Sequence, residues 1–263
     1  MKWLPVHAGW ALLVCMQAGV SAGEEKTPAP KPNLYKERPV VLVPLVTEAP
    51  VLDGKLTEAV WAKATPLALR RLDGGDEKPK LATEARLLST KEILYIGIRC
   101  EEVMKDLKSQ ERARDDGEIW RDDSVEVFLK AGESAEDPYH QVIINLTGAL
   151  YDGYERSEAW NGKDLKVSVF KEEKAWVVEL AIPFADLKLP EKDKKEVLAG
   201  GWRLNFVRNR PARGNDELEE MAWSPTKEAT SHVPGMFGYA FFETYGGKIP
   251  ETPPKAPEGE KKP

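Results

Sequence analysis

Cysteine and histidine are scarce in this chain, which has two and three of them in 263 residues. A structural zinc site needs four clustered nitrogen or sulfur ligands, and a nucleophilic triad needs a histidine beside its nucleophile. The histidines outside the N-terminal segment, His140 and His232, are far apart in the sequence. We therefore expect neither a zinc centre nor a Ser/His/Asp active site.

The chain also lacks an apolar run of the roughly 20 residues that a membrane-spanning helix requires. Its longest candidate, Trp10–Met16, is short and is soon followed by the polar Gln17. Lys2 precedes this run and the small residues Val20–Ala22 follow it, which is the layout of a cleavable secretory signal. We predict a signal peptide over residues 1–22, an exported chain that is periplasmic or extracellular, and no membrane insertion after cleavage.

An excess of positive charge is absent as well. Lys and Arg number 38 against 44 Asp and Glu, a net charge of −6 that becomes −7 when the signal removes Lys2. This balance provides no basic field for nucleic acid. Cys100 is the only cysteine after the predicted cleavage, so we expect no intramolecular disulfide. It alternates with Leu94, Ile96 and Ile98, which predicts a buried thiol rather than a nucleophile.

Apolar residues are sparse at both flanks. Residues 23–39 and 246–263 are rich in Pro, Lys and Glu, and such segments bury too little surface to offset their ordering entropy. We predict a disordered linker, a single folded domain over residues 40–245, and a disordered tail.

Alternation of apolar and polar residues dominates that domain and predicts strands. Helix is limited to Leu56–Lys63, with Trp61 as a core residue, and one turn at Pro183–Leu187. Many short strands separated by turn residues predict an all-β fold, a two-sheet antiparallel β-sandwich of immunoglobulin-like or jelly-roll-like type. The predicted strands are Ile93–Cys100, Asp123–Leu129, His140–Leu146, Leu165–Phe170, Ala175–Ile182, Trp202–Arg208 and Gly238–Glu243.

The segment Ile119–Leu129 places an aromatic ring beside carboxylates. Trp120 precedes the strand, and the alternation directs Glu126 out of the sheet. Proteins hold sugars in this way, because the ring packs on the C–H face of a pyranose and carboxylates accept its hydroxyl protons. The alternative is that Trp120 covers the core edge and the acids form a solvated surface.

A second polar segment runs from Asn205 to Arg210 and is followed by Glu219–Ser224. Arg208 is predicted either to pair with Glu220 across neighbouring strands or to reach a ligand. We expect no enzyme, because glycoside hydrolysis needs two acids about 5 to 9.5 Å apart across a cleft and the sequence offers no opposing acid.

We expect no cofactor, with calcium and haem as two alternatives. Calcium prefers hard oxygen ligands in loops, which Asp115–Glu118, Asp122 and Asp123 offer. Haem could be held by a Met and a His, and the candidates are Met104, Met221 and Met236 with His140 or His232.

An ordered series of short motifs resembles the family 9 carbohydrate-binding modules, in particular the CBM9-like domains of exported bacterial proteins. In chain order these motifs are Leu52–Gly54, Trp61, Thr83–Arg86, Leu94–Ile96, Trp120–Phe128, Asn145 with Gly148, Glu179–Pro183, Asn205–Phe206 with Arg208, Ala222–Ser224 and His232–Gly238.

The resemblance implies a β-sandwich that holds the end of a glycan between two tryptophans, with carboxylate and amide groups at the rim and in some members a structural calcium. Trp120 matches the first tryptophan, Glu126 the carboxylate and Asn145 an amide. The full set of predicted carbohydrate-binding residues is Trp120, Asp123, Glu126, Gln141, Asn145, Asn205, Arg208 and His232.

The second tryptophan of that pattern is missing, because His232 is the only ring in Pro225–His232. Losing one stacking face lowers the binding free energy by about 1–2 kcal/mol. Tyr151, Tyr154 and Trp160, on a predicted loop, are candidates for a replacement. We therefore predict a non-catalytic domain whose partner is an oligo- or polysaccharide. The alternative is an adaptor or envelope protein–protein interaction module that has lost sugar binding.

Overall fold

The computed structural model describes residues 34–35, 37–132, 138–154, 157, 160–189, 199–214 and 217–251. The predicted signal peptide lies outside these residues. Within them, the strands are β1 Leu34–Tyr35, β2 Arg38–Val43, β3 Leu67–Ala68, β4 Arg70–Arg71, β5 Thr83–Ser89, β6 Ile93–Glu101, β7 Ser124–Lys130, β8 His140–Asn145, β9 Leu150–Tyr154, β10 Lys166–Lys171, β11 Ala175–Pro183, β12 Trp202–Arg210, β13 Glu219–Ala222 and β14 Gly238–Phe242.

Six short 3₁₀ turns lie among the described residues. They are Ala59–Lys63, Met104–Asp106, Ile119–Arg121, Phe184–Asp186, Pro234–Met236 and Glu243–Tyr245. No described helix is long and apolar enough to span a bilayer. Trp61 is buried within the first turn, as predicted.

The strands form two sheets. The larger has the order β1-β2-β14-β12-β7-β8-β9, with β13 also paired to β12 and β4 to β13. The smaller has the order β10-β11-β6-β5-β3. Every pairing between these strands is antiparallel except that of β14 with β2, which is parallel. The predicted two-sheet sandwich is confirmed. β1 and the start of β2 fall within residues 23–39, where the sequence predicted a linker.

The main core lies between the sheets and follows the predicted alternation. Leu94, Ile96, Ile98 and Cys100 of β6 belong to it, and Cys100 is an unpaired thiol. Burial raises the pKa of that thiol to about 11. A thiol held in its protonated form is a poor nucleophile, and the prediction that Cys100 is buried is confirmed.

The larger sheet is also covered on the side turned away from the core, which we call the outer face. Ser124, Glu126 and Phe128 of β7 point to it, because Val125, Val127 and Leu129 point inward. One side of an antiparallel sheet commonly meets water. Here two small apolar clusters cover the outer face, Ile119 with Ile143 and Tyr151, and Leu72 with Phe128, Tyr139, Val207, Ala222 and Phe237.

Two predictions about local structure were wrong. Tyr151 and Tyr154 lie on strand β9 rather than on a loop. Arg208 and Glu220 form no ion pair, because Arg208 points into the sandwich, whereas Glu220 lies opposite Asn209 and shares its outer face.

Candidate functional site

Glu126 is the centre of the polar part of the outer face. Its side chain is almost completely buried, with 4% of the residue exposed. Gln141 Nε2 donates to Oε2 over 2.6 Å and Asn209 Nδ2 donates to Oε1 over 2.8 Å. Within the described part of the chain, no Lys, Arg or His forms an ion pair with it. A buried carboxylate without a cation is unusual, because burial of a charge is costly unless it is compensated.

The pKa of Glu126 reflects that isolation. Burial raises it most, and the nearby carboxylate of Glu220 raises it further, while the hydrogen bonds from Asn209 and Gln141 act in the opposite direction. Both amides donate to the carboxylate, an arrangement that favours its ionised form. The two amides therefore fix the position of the Glu126 carboxylate, but their hydrogen bonds offset only part of the cost of burying its charge.

Asn209 connects Glu126 to the rest of the face. Its Nδ2 also donates to Ser124 Oγ over 3.1 Å. Its Oδ1 is buried and accepts no hydrogen bond from the described residues. Asn209 is not among the residues predicted from the sequence, although strand alternation places it on the same face as Asn205 and Val207.

Trp120 lies at the edge of this network. Ile119 anchors its 3₁₀ turn in the apolar cluster with Ile143 and Tyr151, and Ser124 Oγ donates to the Trp120 carbonyl over 3.4 Å. Trp120 is 37% exposed, and the Arg121 guanidinium is 5.0 Å from its ring centroid. Ser124 therefore links the backbone of Trp120 to Asn209, which contacts Glu126.

Asn145 fixes the loop that carries Trp120. Its Nδ2 donates to Asp122 Oδ2 and to the Gln110 carbonyl, and its Oδ1 accepts the Thr147 and Ala149 amides. Burial acts to raise the pKa of Asp122, but hydrogen bonds from Arg112 and Asn145 outweigh it and the pKa is lowered. Both the nitrogen and the oxygen of the Asn145 amide are therefore engaged in hydrogen bonds that hold the loop.

Asn205 performs the equivalent task for the loop after β13. Its Nδ2 donates to the Ser224 carbonyl and its Oδ1 accepts the Ser224 amide, each over 2.9 Å. Ser224 Oγ in turn donates to the Met236 carbonyl over 2.6 Å. The loop between these residues carries His232.

His232 covers the other side of the outer face. Its Nδ1 is 2.6 Å from the Tyr139 hydroxyl, and its ring meets that of Phe128 edge-on at 5.4 Å. Phe128 is the cross-strand neighbour of Gln141. His232 is therefore near Gln141, whereas no ring among the described residues contacts Trp120.

Asp123 and Arg208 lie on the opposite side of the sheet from Glu126. Asp123 Oδ1 accepts from Arg213 over 2.6 Å, and Arg208 donates to Glu102 over 2.8 Å. Arg213 joins the two pairs because its guanidinium is also 3.4 Å from Glu102. Of the predicted set, the outer face therefore brings together Trp120, Glu126 and Gln141, with Asn145, Asn205 and His232 around them.

The candidates for a replacement aromatic are placed elsewhere. Tyr151 is on the outer face but packs under Ile119. Tyr154 and Trp160 pack against the ring of His140 inside the sandwich.

The acidic loop residues are paired with arginines. Arg112 contacts both Asp122 and Asp116, and Arg121 pairs with Glu118. The described residues include no cluster of three or more ligating groups suited to a metal ion. Calcium binding stays an open alternative to the prediction of no cofactor.

The positions of His140 and Met221 do not support the haem hypothesis. His140 Nε2 accepts the Lys188 amide over 2.9 Å, and Met221 is fully buried in the core.

Comparison with known proteins identifies the relatives of this fold. The family model described as "Carbohydrate family 9 binding domain-like" matches residues 52–243. A search of curated proteins finds no significant match. A family 9 carbohydrate-binding module from Caldicellulosiruptor kristjanssonii, solved with cellotriose, has 14% identity and a TM-score of 0.57 over 83% of this chain and 100% of its own.

The same module solved with glucose gives a TM-score of 0.57 at 14% identity, over 82% of this chain and 100% of its own. A putative carbohydrate-binding protein from Bacteroides uniformis gives a TM-score of 0.60 at 16% identity, over 78% of this chain and 100% of its own. At these identities the likeness concerns the fold. The family model, however, spans most of the sequence, and the chain belongs to the carbohydrate family 9 binding domain-like proteins.

Proposed function

We propose that this domain is a non-catalytic module that binds the end of a glycan on the outer face, with Glu126 as its central acceptor and Trp120 as its stacking surface. The observation that carries the proposal is the hydrogen-bonded group of Glu126, Gln141 and Asn209, which holds a buried carboxylate without a cation. The fold has no evident need for such a charge, since its burial costs stability.

The chemistry of the group suits sugar hydroxyls. A hydroxyl donates one proton, and Glu126 retains acceptor capacity on both oxygens after the two amide contacts. Asn209 Oδ1 provides a further acceptor. The exposed indole of Trp120 offers an apolar surface to the C–H face of the ring. The amides keep the acceptors oriented before the ligand arrives, so less order is lost on binding.

The relatives and the predicted compartment support this proposal. The Caldicellulosiruptor kristjanssonii module was solved with glucose and with cellotriose. The predicted signal peptide would deliver this domain to the periplasm or the cell exterior, where polysaccharides are encountered.

Titration calorimetry with glucose, cellotriose and xylotriose tests the proposal. We expect Trp120→Ala to weaken binding by about fivefold, because an aromatic contact contributes about 1 kcal/mol. The matched control is Phe170→Ala, since Phe170 is 38% exposed and lies on the smaller sheet. Equal loss in both variants, or no heat with any sugar, contradicts the proposal.

The adaptor function is the second candidate. His232, rather than a tryptophan, occupies the second loop, and Asn145 and Asn205 are occupied by loop contacts. Recovery of one stoichiometric protein partner from the exported fraction, together with no retention on polysaccharide, would select this candidate.

A further inference from the structure

Three hydrogen-bond acceptors lie together on the outer face without a matching cation. Glu126 is on β7, Asn209 lies on β12, and Glu220 lies opposite Asn209 on β13. Glu220 is partly buried, and its carboxylate forms no hydrogen bond or ion pair with the described residues, whereas its backbone carbonyl accepts the Leu72 amide. Asn209 Oδ1 is buried and accepts nothing. Asn209 therefore lies between two strands that each carry a carboxylate on the outer face, Glu126 on β7 and Glu220 on β13.

The positive side chains nearby do not neutralise this group. Arg203 and Lys130 share the outer face, but strand geometry places them four residues further along, about 13 Å away. Arg203 donates to the Phe237 carbonyl and lies over the ring of Tyr239. Arg70, opposite Ala222 on β4, is exposed and forms no ion pair with Glu220.

Burial acts on the two carboxylates in the same direction, and the charge of Glu220 acts on Glu126 in that direction as well. Burial raises the pKa of Glu220, and it raises that of Glu126 together with the charge of Glu220. A cation placed between them would favour both ionised forms. A neutral hydroxyl provides one donor and would leave acceptors unmet, whereas an ammonium carries three donors and a positive charge.

We infer that the outer face prefers amino sugars that carry a protonated amine, such as glucosaminides, over neutral sugars of the same linkage. This inference rests on the proposed function, because it concerns the ligand of the same face. The ammonium would donate to Glu220, Asn209 Oδ1 and Glu126. N-acetylation removes the charge and two of the three donors, so the N-acetylated sugar loses the advantage.

Calorimetry with three β-1,4 trimers tests the inference, namely cellotriose, triglucosamine and tri-N-acetylglucosamine at pH 6. We expect triglucosamine to bind about tenfold more tightly than cellotriose, as charge-assisted hydrogen bonds exceed neutral ones. Glu220→Gln should abolish this preference and leave cellotriose binding within twofold. Glu217→Gln is the matched control, because it removes an equal charge from an exposed position and should preserve the preference.

The outcomes separate the inference from the function on which it rests. Equal binding of cellotriose and triglucosamine overturns the inference and leaves glycan binding intact. A preference that survives in Glu220→Gln, with an unchanged melting temperature, also overturns it. Failure of every trimer to bind overturns both.

Discussion

The two faces of the larger sheet treat buried charge in opposite ways. On the inner side, Glu102 accepts from Arg208 and Arg210, each over 2.8 Å, and is also 3.4 Å from Arg213. On the outer face, Glu126 is held only by neutral amides. The charge of Glu102 is balanced by the arginines around it, whereas that of Glu126 has no cation beside it and lowers the stability of the fold. The proposed glycan-binding face is therefore the side of the larger sheet on which Glu126 is held without a cation.

The largest expected effect comes from breaking the compensation on the inner side. Glu102→Gln leaves three buried arginines short of a counter-charge, so we expect the free energy of unfolding to fall by about 3–5 kcal/mol. Urea denaturation measures this change. Glu84→Gln breaks only the partly exposed pair with Arg86 and should cost less than about 1 kcal/mol. Similar losses in the two variants would show that the buried arginine contacts of Glu102 contribute no more to stability than a partly exposed ion pair.

A second prediction concerns the histidine on the inner side. Burial, with a smaller repulsion from Lys188, lowers the pKa of His140 to about 4, against an opposing hydrogen bond to Leu129. The unfolded chain binds this proton near pH 6.5 and the folded chain only near pH 4, so stability is lost as the pH falls across that window. The loss reaches on the order of 3 kcal/mol.

His140→Phe should flatten this part of the stability curve, measured by urea denaturation at several pH values. His232→Phe is the control, because His232 is only partly buried, whereas His140 is 3% exposed. A wild-type slope retained in His140→Phe would show that other groups cause the acid loss.

The smallest expected stability effect lies on the outer face. The pKa of Glu126 is raised, so its contribution to stability is greatest below its unfolded pKa and is lost as the pH rises through the folded value. The difference in unfolding free energy between Glu126→Gln and wild type should therefore move in favour of the variant from pH 4 to pH 7. Glycan affinity should fall by at least about tenfold, since a charged hydrogen-bond acceptor is lost. If the difference in unfolding free energy stayed constant from pH 4 to pH 7, the claim that folding raises the pKa of Glu126 would be contradicted.

Much of the sandwich could be predicted from alternation alone. The inward set of β6 and the outward direction of Glu126 follow from the two-residue period of a strand. The motif series also led to the correct family. Contacts that join distant segments could not be predicted in this way, and Arg208 with Glu102 is an example. Strand parity turns Arg208 inward, but nothing local indicates which acid it meets.

The misread strand has a specific physical cause. Asp152 and Gly153 suggest a turn, yet both lie within β9. A Cβ on Gly153 would be 2.7 Å from the Tyr151 hydroxyl and 3.0 Å from the Ser157 carbonyl, so glycine serves close packing there. Asp152 is buried and accepts the Gly162 amide. Asp152 and Gly153 pack against a neighbouring loop. An Asp-Gly pair in a sequence suggests a turn whether it forms one or only contacts one, so the sequence alone does not separate the two cases.

The parallel pairing of β14 with β2 has a consequence for how the domain assembles. β14 lies between β2 and β12, so the first strands of the chain cannot join the larger sheet until Gly238–Phe242 has been synthesised. Contacts of this sequence separation close late, because the entropy of a long loop must be lost first. A chain that ends before Gly238 would thus contain β1 and β2 but lack β14, the strand through which they join the larger sheet.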